Sequence, residues 1–215
     1  MNRKTVLITA LLVSLGLFAY SVMSLEEPDY TVVEKTDAFE LRQYQPYVVA
    51  ETVVDGDFEA AGSRAFRILV DYIQRGNQGG RNLPMTAPVN QQPAGDGEPR
   101  ADLLRAAPAS PESSPTTGPW LFQFVMPKEY SLSMLPPPLD DRVKLRQEPA
   151  RLVAARRYSG GWSERKYRDN ERALLAALEE AGLTPTGVPI FARYNAPFVP
   201  GFLRRNEVLV PVQRD

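Results

Sequence analysis

The chain states one theme twice, and that internal echo limits the folds open to it. Leu152-Val153-Ala154 matches Val48-Val49-Ala50, and Ser159-Gly160-Gly161-Trp162 matches Asp55-Gly56-Asp57-Phe58. Each passage leads into a long amphipathic stretch and then an extended one. In the first, Phe66, Leu69, Val70 and Ile73 fall at i, i+3, i+4 and i+7, the spacing of one helical stripe. Asp57 is placed to cap this helix and Gly76 to stop it. In the second, Tyr167, Leu174, Leu175 and Leu178 mark a helix over residues 163–181 that stops at Gly182. Two strand-helix-strand units joined in one sheet follow.

The extended pieces are short and rich in β-branched and aromatic residues. Residues 30–34, 39–44 and 47–54 read as strands of an antiparallel meander, separated by turn signals at Asp37 and Pro46. In Asn82-Leu-Pro-Met-Thr-Ala-Pro-Val89, Pro84 and Pro88 exclude a regular helix, while Met85, Ala87 and Val89 alternate as a strand does. Residues 189–194 take the corresponding place in the second half. Between the halves, residues 90–119 are dominated by proline, alanine, serine and glycine, and read as a disordered insertion with a local helical turn at Leu103 and Leu104. A last strand is expected over residues 208–212.

Several short motifs occur in one order: Phe39-Glu-Leu-Arg-Gln-Tyr44, Met85-Thr-Ala-Pro88, Phe124-Val-Met-Pro127, Ala192-Arg-Tyr-Asn195 and Arg204-Arg-Asn-Glu-Val208. Together they make residues 27–212 resemble the SOUL heme-binding protein family. The resemblance implies an α+β fold, a distorted pseudo-twofold antiparallel β-barrel flanked by two α-helices, similar to effector-binding domains of the gyrase-inhibitor type. It also implies a heme or tetrapyrrole ligand. Kinship constrains the fold more tightly than the function, so the residues must carry the chemistry.

They exclude a good deal. The chain has 215 residues, a net charge of −1, and no basic tract interleaved with aromatics, so the footprint needed for nucleic acid is missing. Histidine and cysteine are both absent. That removes Ser-His-Asp and Cys-His catalysis, thiolate metal sites, disulfides and covalent heme attachment. Glu40, Glu51, Asp55 and Glu207 are available for acid-base work, but no spacing pairs them. The expectation is a binding protein, not an enzyme, with no protein-bound metal site.

The N-terminus is organised differently. Arg3 and Lys4 precede an uncharged, largely apolar run over residues 6–23, and Glu26 and Glu27 follow it. This is the layout of a signal peptide or an N-terminal membrane anchor, longer than a signal core of about 7–15 residues and just at the ~18 of a span; a buried core helix is the alternative. Residues 1–25 are therefore assigned to the leader or transmembrane anchor, and residues 26–215 to a SOUL-like domain, expected to be monomeric and periplasmic or otherwise outside the cytoplasm.

A tetrapyrrole needs a flat apolar face, with cations or hydroxyls where its carboxylates emerge. Phe66 and Val70 are candidates for that face. Carried over by local motif from the resemblance, Phe66 stands where the family's helix offers an apolar contact, with Ser63 one turn before it. Arg64 and Arg67 can reach carboxylates, and Met85 is the family's Met-Thr-x-Pro methionine, a soft ligand or a polarisable contact. Tyr44, Tyr72 and Tyr194 are conceivable ferric ligands, though a phenol of pKa near 10 is ordinarily neutral. Heme is thus a possible ligand, not an obligatory cofactor. The alternative is a module for another planar amphipathic molecule or a lipid.

Overall fold

The computed structural model describes residues 25–94 and 117–214. Strands β1 (Tyr30–Lys35), β2 (Glu40–Tyr44) and β3 (Tyr47–Asp57) lead into helix α1 (Phe58–Ile73). Strands β4 (Val89–Pro93), β5 (Thr117–Val125), β6 (Lys144–Glu148) and β7 (Arg151–Tyr158) lead into helix α2 (Glu164–Glu180). After it come β8 (Leu183–Pro185), β9 (Ile190–Arg193), a 3-10 turn (Gly201–Leu203) and β10 (Asn206–Arg214).

The strands form one antiparallel sheet in the order β1-β2-β7-β10-β9-β4-β5-β3-β6, with β8 against the end of β10. The class is therefore α+β. The sheet is not closed into a barrel, because β1 and β6 end it without pairing to each other.

The two halves are wired alike. In β3-α1-β4-β5 the last strand lies between the other two, and in β7-α2-β9-β10 it does so again. They meet where β4 pairs with β9, at Val89 with Arg193, Asn90 with Ala192 and Gln91 with Phe191. Each half also borrows a strand: β2 precedes β3 in the chain but pairs with β7, and β6 precedes β7 but pairs with β3. The expected meander is thus corrected. Only β1 and β2 form a hairpin. Between β2 and β3 stand Gln45 and Pro46, and a proline cannot supply the positive φ that a tight two-residue hairpin needs, so the chain crosses to another partner.

Both helices lie against one face. Phe58, Leu69 and Tyr72 from α1 and Tyr167, Leu174 and Leu178 from α2 share a core with Phe122, Phe124, Phe191 and Val208 of the sheet. The rings of Phe58, Tyr167 and Phe191 approach one another at 5.2 to 5.6 Å between centroids and tie both helices to β9. On the other face Val153, Ala155, Ile190, Ala192 and Leu209 form a smaller cluster that Leu25 and Tyr30 help to cover. The alternation of a strand produces this division, since neighbouring residues point to opposite faces.

Local chemistry sets the ends of the helices. The Asp57 carboxylate accepts from the backbone N–H groups of Glu59 at 3.1 Å and Ala60 at 2.7 Å, and the Ser163 hydroxyl accepts from that of Lys166 at 3.4 Å. Gly182, at φ +66°, ends α2 in a conformation that glycine adopts without penalty. Helix α1 ends at Ile73, ahead of Gly76.

Two expectations need correction. Residues 84–88 are not a strand; β4 begins at Val89. Pro84 and Pro88 have no N–H to offer a ladder, and the segment is held instead by the Thr86 hydroxyl, which donates to the Val125 carbonyl, with Ala87–Pro88 in the cis form. The expected insertion over residues 90–119 begins inside β4 and ends inside β5. Residues 1–24, with nearly all of the leader, and Leu103 and Leu104 lie outside the described residues. Among the described residues no helix is long and apolar enough to cross a membrane.

Leu69 is fully buried at the centre of the α1 stripe. Leu69→Ala is expected to lower the free energy of unfolding by ~2–5 kcal/mol in urea denaturation, and a loss below ~1 kcal/mol would show that this stripe is not core.

Candidate functional site

Helix α1 turns Phe58, Ala61, Gly62, Ala65, Leu69, Tyr72 and Ile73 inward. With 3.6 residues per turn, this leaves Ser63, Arg64 and Arg67 exposed and puts Phe66 and Val70 on the boundary. Phe66 retains 38% of its surface, and its ring meets buried Phe124 of β5 edge to face, with centroids 5.5 Å apart. A large apolar side chain on the sheet is therefore backed from beneath and open above. Val70 and Met85 are partly buried against the main core. Arg64 does not extend outward: its guanidinium donates to the Asp55 carbonyl at the end of β3.

A second apolar element comes from the loop between β9 and β10, where Phe198, Phe202 and Leu203 are 65, 78 and 63% exposed. The loop keeps its shape through its own backbone. Gly160 N–H donates to the Gly201 carbonyl at 3.0 Å, and Arg204 Nε donates to the Val199 carbonyl at 2.7 Å. The Arg204 guanidinium lies 4.5 Å from the centre of the Trp162 ring, and Arg193 lies 5.4 Å from the same ring. Arg193 in turn rests against α1 at Gly62, where a Cβ would stand 3.1 Å from Nη1. The loop, Trp162, Arg193 and the first half of α1 thus form one connected surface. Neither Arg193 nor Trp162 was reached from the sequence, although the Ala-Arg-Tyr-Asn motif contains the first and the Gly-Gly-Trp echo the second.

The opposite face carries a buried charge network. Glu207, fully buried, accepts from Arg42 at 2.7 and 3.2 Å, from the Tyr194 hydroxyl at 2.8 Å and from Arg205 Nε at 3.0 Å. Burial alone would raise its pKa, but the two guanidiniums and the phenol hold it below the ordinary value. Glu207 thus pairs with two arginines, Arg42 and Arg205. Arg42 also binds Glu40, while Arg146 pairs with Glu51 and Glu148. Each of these carboxylates is thus paired with a guanidinium.

The tyrosines are engaged as well. Tyr72 donates to the Pro136 carbonyl at 3.0 Å, and burial pushes its phenol up to about 12. Tyr44 is likewise pushed up to about 12, and burial raises Tyr194 well above its ordinary value. A phenolate ligand to iron from any of them would require the core to open. Among the described residues there is no group of three or more His, Cys, Asp or Glu that could hold a metal ion.

An open concavity of about 560 Å³ lies elsewhere, lined by Leu132, Leu135, Pro137, Val143 and Lys144 together with Asp140 and Asp141. Asp140 is held by Arg142 at 2.6 Å, which keeps its carboxyl ionised and its pKa below the ordinary value.

These features define a class: a duplicated α+β domain with exposed apolar side chains on one helix edge and one loop and, among the described residues, no metal-binding cluster. The chain belongs to the SOUL heme-binding protein family, whose model matches residues 25–211. Similar solved structures share the fold at low identity. The EcmrR C-terminal domain superposes with a TM-score of 0.56 and 13% identity, over 86% of this chain and 99% of that one. An uncharacterized conserved protein from Listeria innocua gives 0.52 and 14%, over 87 and 92%, and a hydrolase from the same organism gives 0.51 and 11%, over 81 and 91%. A comparison with curated proteins gives no match.

Glu207 supplies a pH test. Its folded pKa lies below the unfolded value, so the stability it contributes is complete above the ordinary value of 4.5 and is lost as the pH falls through the lower folded value. Glu207→Gln should reduce stability at pH 7 and flatten the fall in melting temperature between pH 5 and about 3. A mutant with wild-type acid sensitivity would show that the network does not control acid unfolding.

Proposed function

We propose that this chain binds heme or a related tetrapyrrole without covalent attachment and without a histidine ligand, mainly by apolar contact in a surface groove. The groove runs along the outer edge of α1 towards the loop that carries Phe198, Phe202 and Leu203. The observation that carries this reading is Phe66, a large ring left 38% exposed on the very helix that otherwise buries its apolar stripe. Family membership supports the ligand class.

The residues fit such a guest by shape and polarity. Phe66 and Val70 supply an apolar side, Met85 a polarisable contact, and Ser63 and Arg67 exposed polar groups at the edge; Arg64 could serve only after releasing the Asp55 carbonyl. Bound heme would bring a redox-active iron to this surface, while the chain supplies contact and orientation. Burying a few hundred Å2 of macrocycle at ~25 cal/mol per Å2 contributes several kcal/mol against the cost of association, which suits reversible, micromolar binding. Nothing in the groove selects iron, so other planar amphipathic molecules belong to the same ligand class. The chain has no catalytic role in this reading and acts as a monomer. The charge-flanked apolar run over residues 6–23 supports an exported or membrane-anchored protein with its domain outside the cytoplasm.

Titration with hemin, followed at the Soret band, tests the groove. Phe66→Ala is expected to weaken binding by ~5- to 30-fold, from the apolar area lost, and Met85→Ala by ~2- to 10-fold, from the lost sulfur contact. Leu139→Ala, on the separate concavity's loop, should leave the affinity unchanged. Wild-type affinity in both groove variants would reject the site.

A further inference from the structure

The pseudo-symmetric seam isolates an unusual side chain. Arg193 of β9 lies opposite Asn206 of β10 as Pro93 of β4 lies opposite Trp120 of β5. Gln91 does its structural work without charge, donating to the Phe58 carbonyl at 2.9 Å. Arg193 meets Gln91 across the seam with a full positive charge. Its guanidinium donates to the Gln91 side-chain oxygen and lies 4.7 Å from the Phe191 ring centre, 5.4 Å from Trp162 and 5.7 Å from Phe58. Among the described residues no carboxylate forms an ion pair with it. The acid whose charge it feels is Glu59, exposed on the first turn of α1, and burial still pushes Arg193 down to about 10.

Two buried polar atoms at this place have no hydrogen-bond partner: Arg193 Nε and the Tyr158 hydroxyl. Tyr158 and Arg193 both pair with Asn206, from its two sides, so the three side chains share one row on the helix-facing side of the sheet. Asn206 is satisfied, accepting from Trp162 Nε1 at 3.0 Å and donating to the Gly160 carbonyl at 3.1 Å. What remains is a cation and a phenol with hydrogen atoms to donate and nothing to receive them. Buried donors without acceptors are costly, and a charged one most of all. The matching position of the first half, Pro93, carries no such donor.

We propose that Arg193 and Tyr158 form an anion subsite that takes the carboxylate of an aromatic ligand, whose ring lies against Trp162. The carboxylate accepts from Arg193 Nε and from the Tyr158 hydroxyl and supplies the counter-charge that the protein withholds. In identifying that carboxylate with one on the edge of a tetrapyrrole, the inference rests on the groove reading above; the subsite itself stands on the two unpartnered donors.

The test uses the full chain in mild detergent, with 2-naphthoate and its neutral methyl ester as probes, followed by tryptophan fluorescence. The wild type should bind 2-naphthoate about tenfold or more tightly than the ester, the worth of a charge-assisted pair. Arg193→Gln, which removes the charge and keeps a polar side chain, should abolish this preference. Tyr158→Phe should reduce it by about threefold or more without lowering the melting temperature, because the hydroxyl it removes has no partner in the free protein. Equal affinity for acid and ester in the wild type, or a preference that persists in both variants, overturns the proposal. Should Arg193→Gln fail to fold, Tyr158→Phe decides alone. A parallel hemin titration separates the two readings: hemin binding without naphthoate preference overturns the subsite and leaves the groove, and naphthoate preference without hemin binding does the reverse.

Discussion

The pairing of β4 with β9 is the constraint on which the rest depends. Three residue pairs join two half-sheets there, and without them each half would expose a strand edge and half of an apolar face. The stack of Phe58, Tyr167 and Phe191 sits over the seam and draws the first residue of α1, the first turn of α2 and β9 to one place. Exchange of β2 and β6 between the halves makes the seam hard to separate, since each half is completed by a strand that precedes the other half's partner in sequence. A duplicated unit has thus become a single cooperative body with one core.

That arrangement decides what is left for a ligand. Both helices spend their principal apolar stripes on the common core, so binding surface can come only from boundary residues and loops. Phe66 is such a residue, backed by Phe124 and open to solvent. The loop after β9 is another, with three apolar side chains outside and a backbone tied to Gly160 and to the Arg204 guanidinium inside. Charge is distributed with the same economy. Acidic and basic groups on the far face neutralise one another around Glu207 and Glu148, and Arg193 on the helix side does not share in this. A surface with apolar walls and an unmatched cation inside suits a flat anion better than a cation or a nucleic acid.

Much of this could be read from the residues. Helical periodicity placed α1 and α2 to within a few residues, and the cap at Asp57 acted as its chemistry suggested. The echo between residues 48–58 and 152–162 announced the duplication. Strand partnership was not legible, because β2 and β3 look like a hairpin until Pro46 is asked to adopt a turn it cannot make. The run through Met85 and Pro88 looked extended by alternation, yet it lacks the N–H groups that make an extended run a strand. At the candidate site the sequence pointed to the exposed side of α1, where Ser63, Arg64, Phe66 and Arg67 are found, with the Arg64 guanidinium turned back to the Asp55 carbonyl. Arg193 was invisible for a different reason. An arginine in a strand is ordinarily solvated, and only the fold shows that the rings of Phe58, Trp162 and Phe191 surround this one, with no acid among the described residues paired to it.

The central claim is that the inner stripe of α1 belongs to the core and its outer edge, with the β9–β10 loop, to the guest. Backbone hydrogen exchange with and without hemin tests it most directly, because it reports where binding slows opening along the whole chain. The account predicts added protection concentrated at residues 62–70 and 197–204. Protection confined to residues 132–145, or no change anywhere, would contradict it.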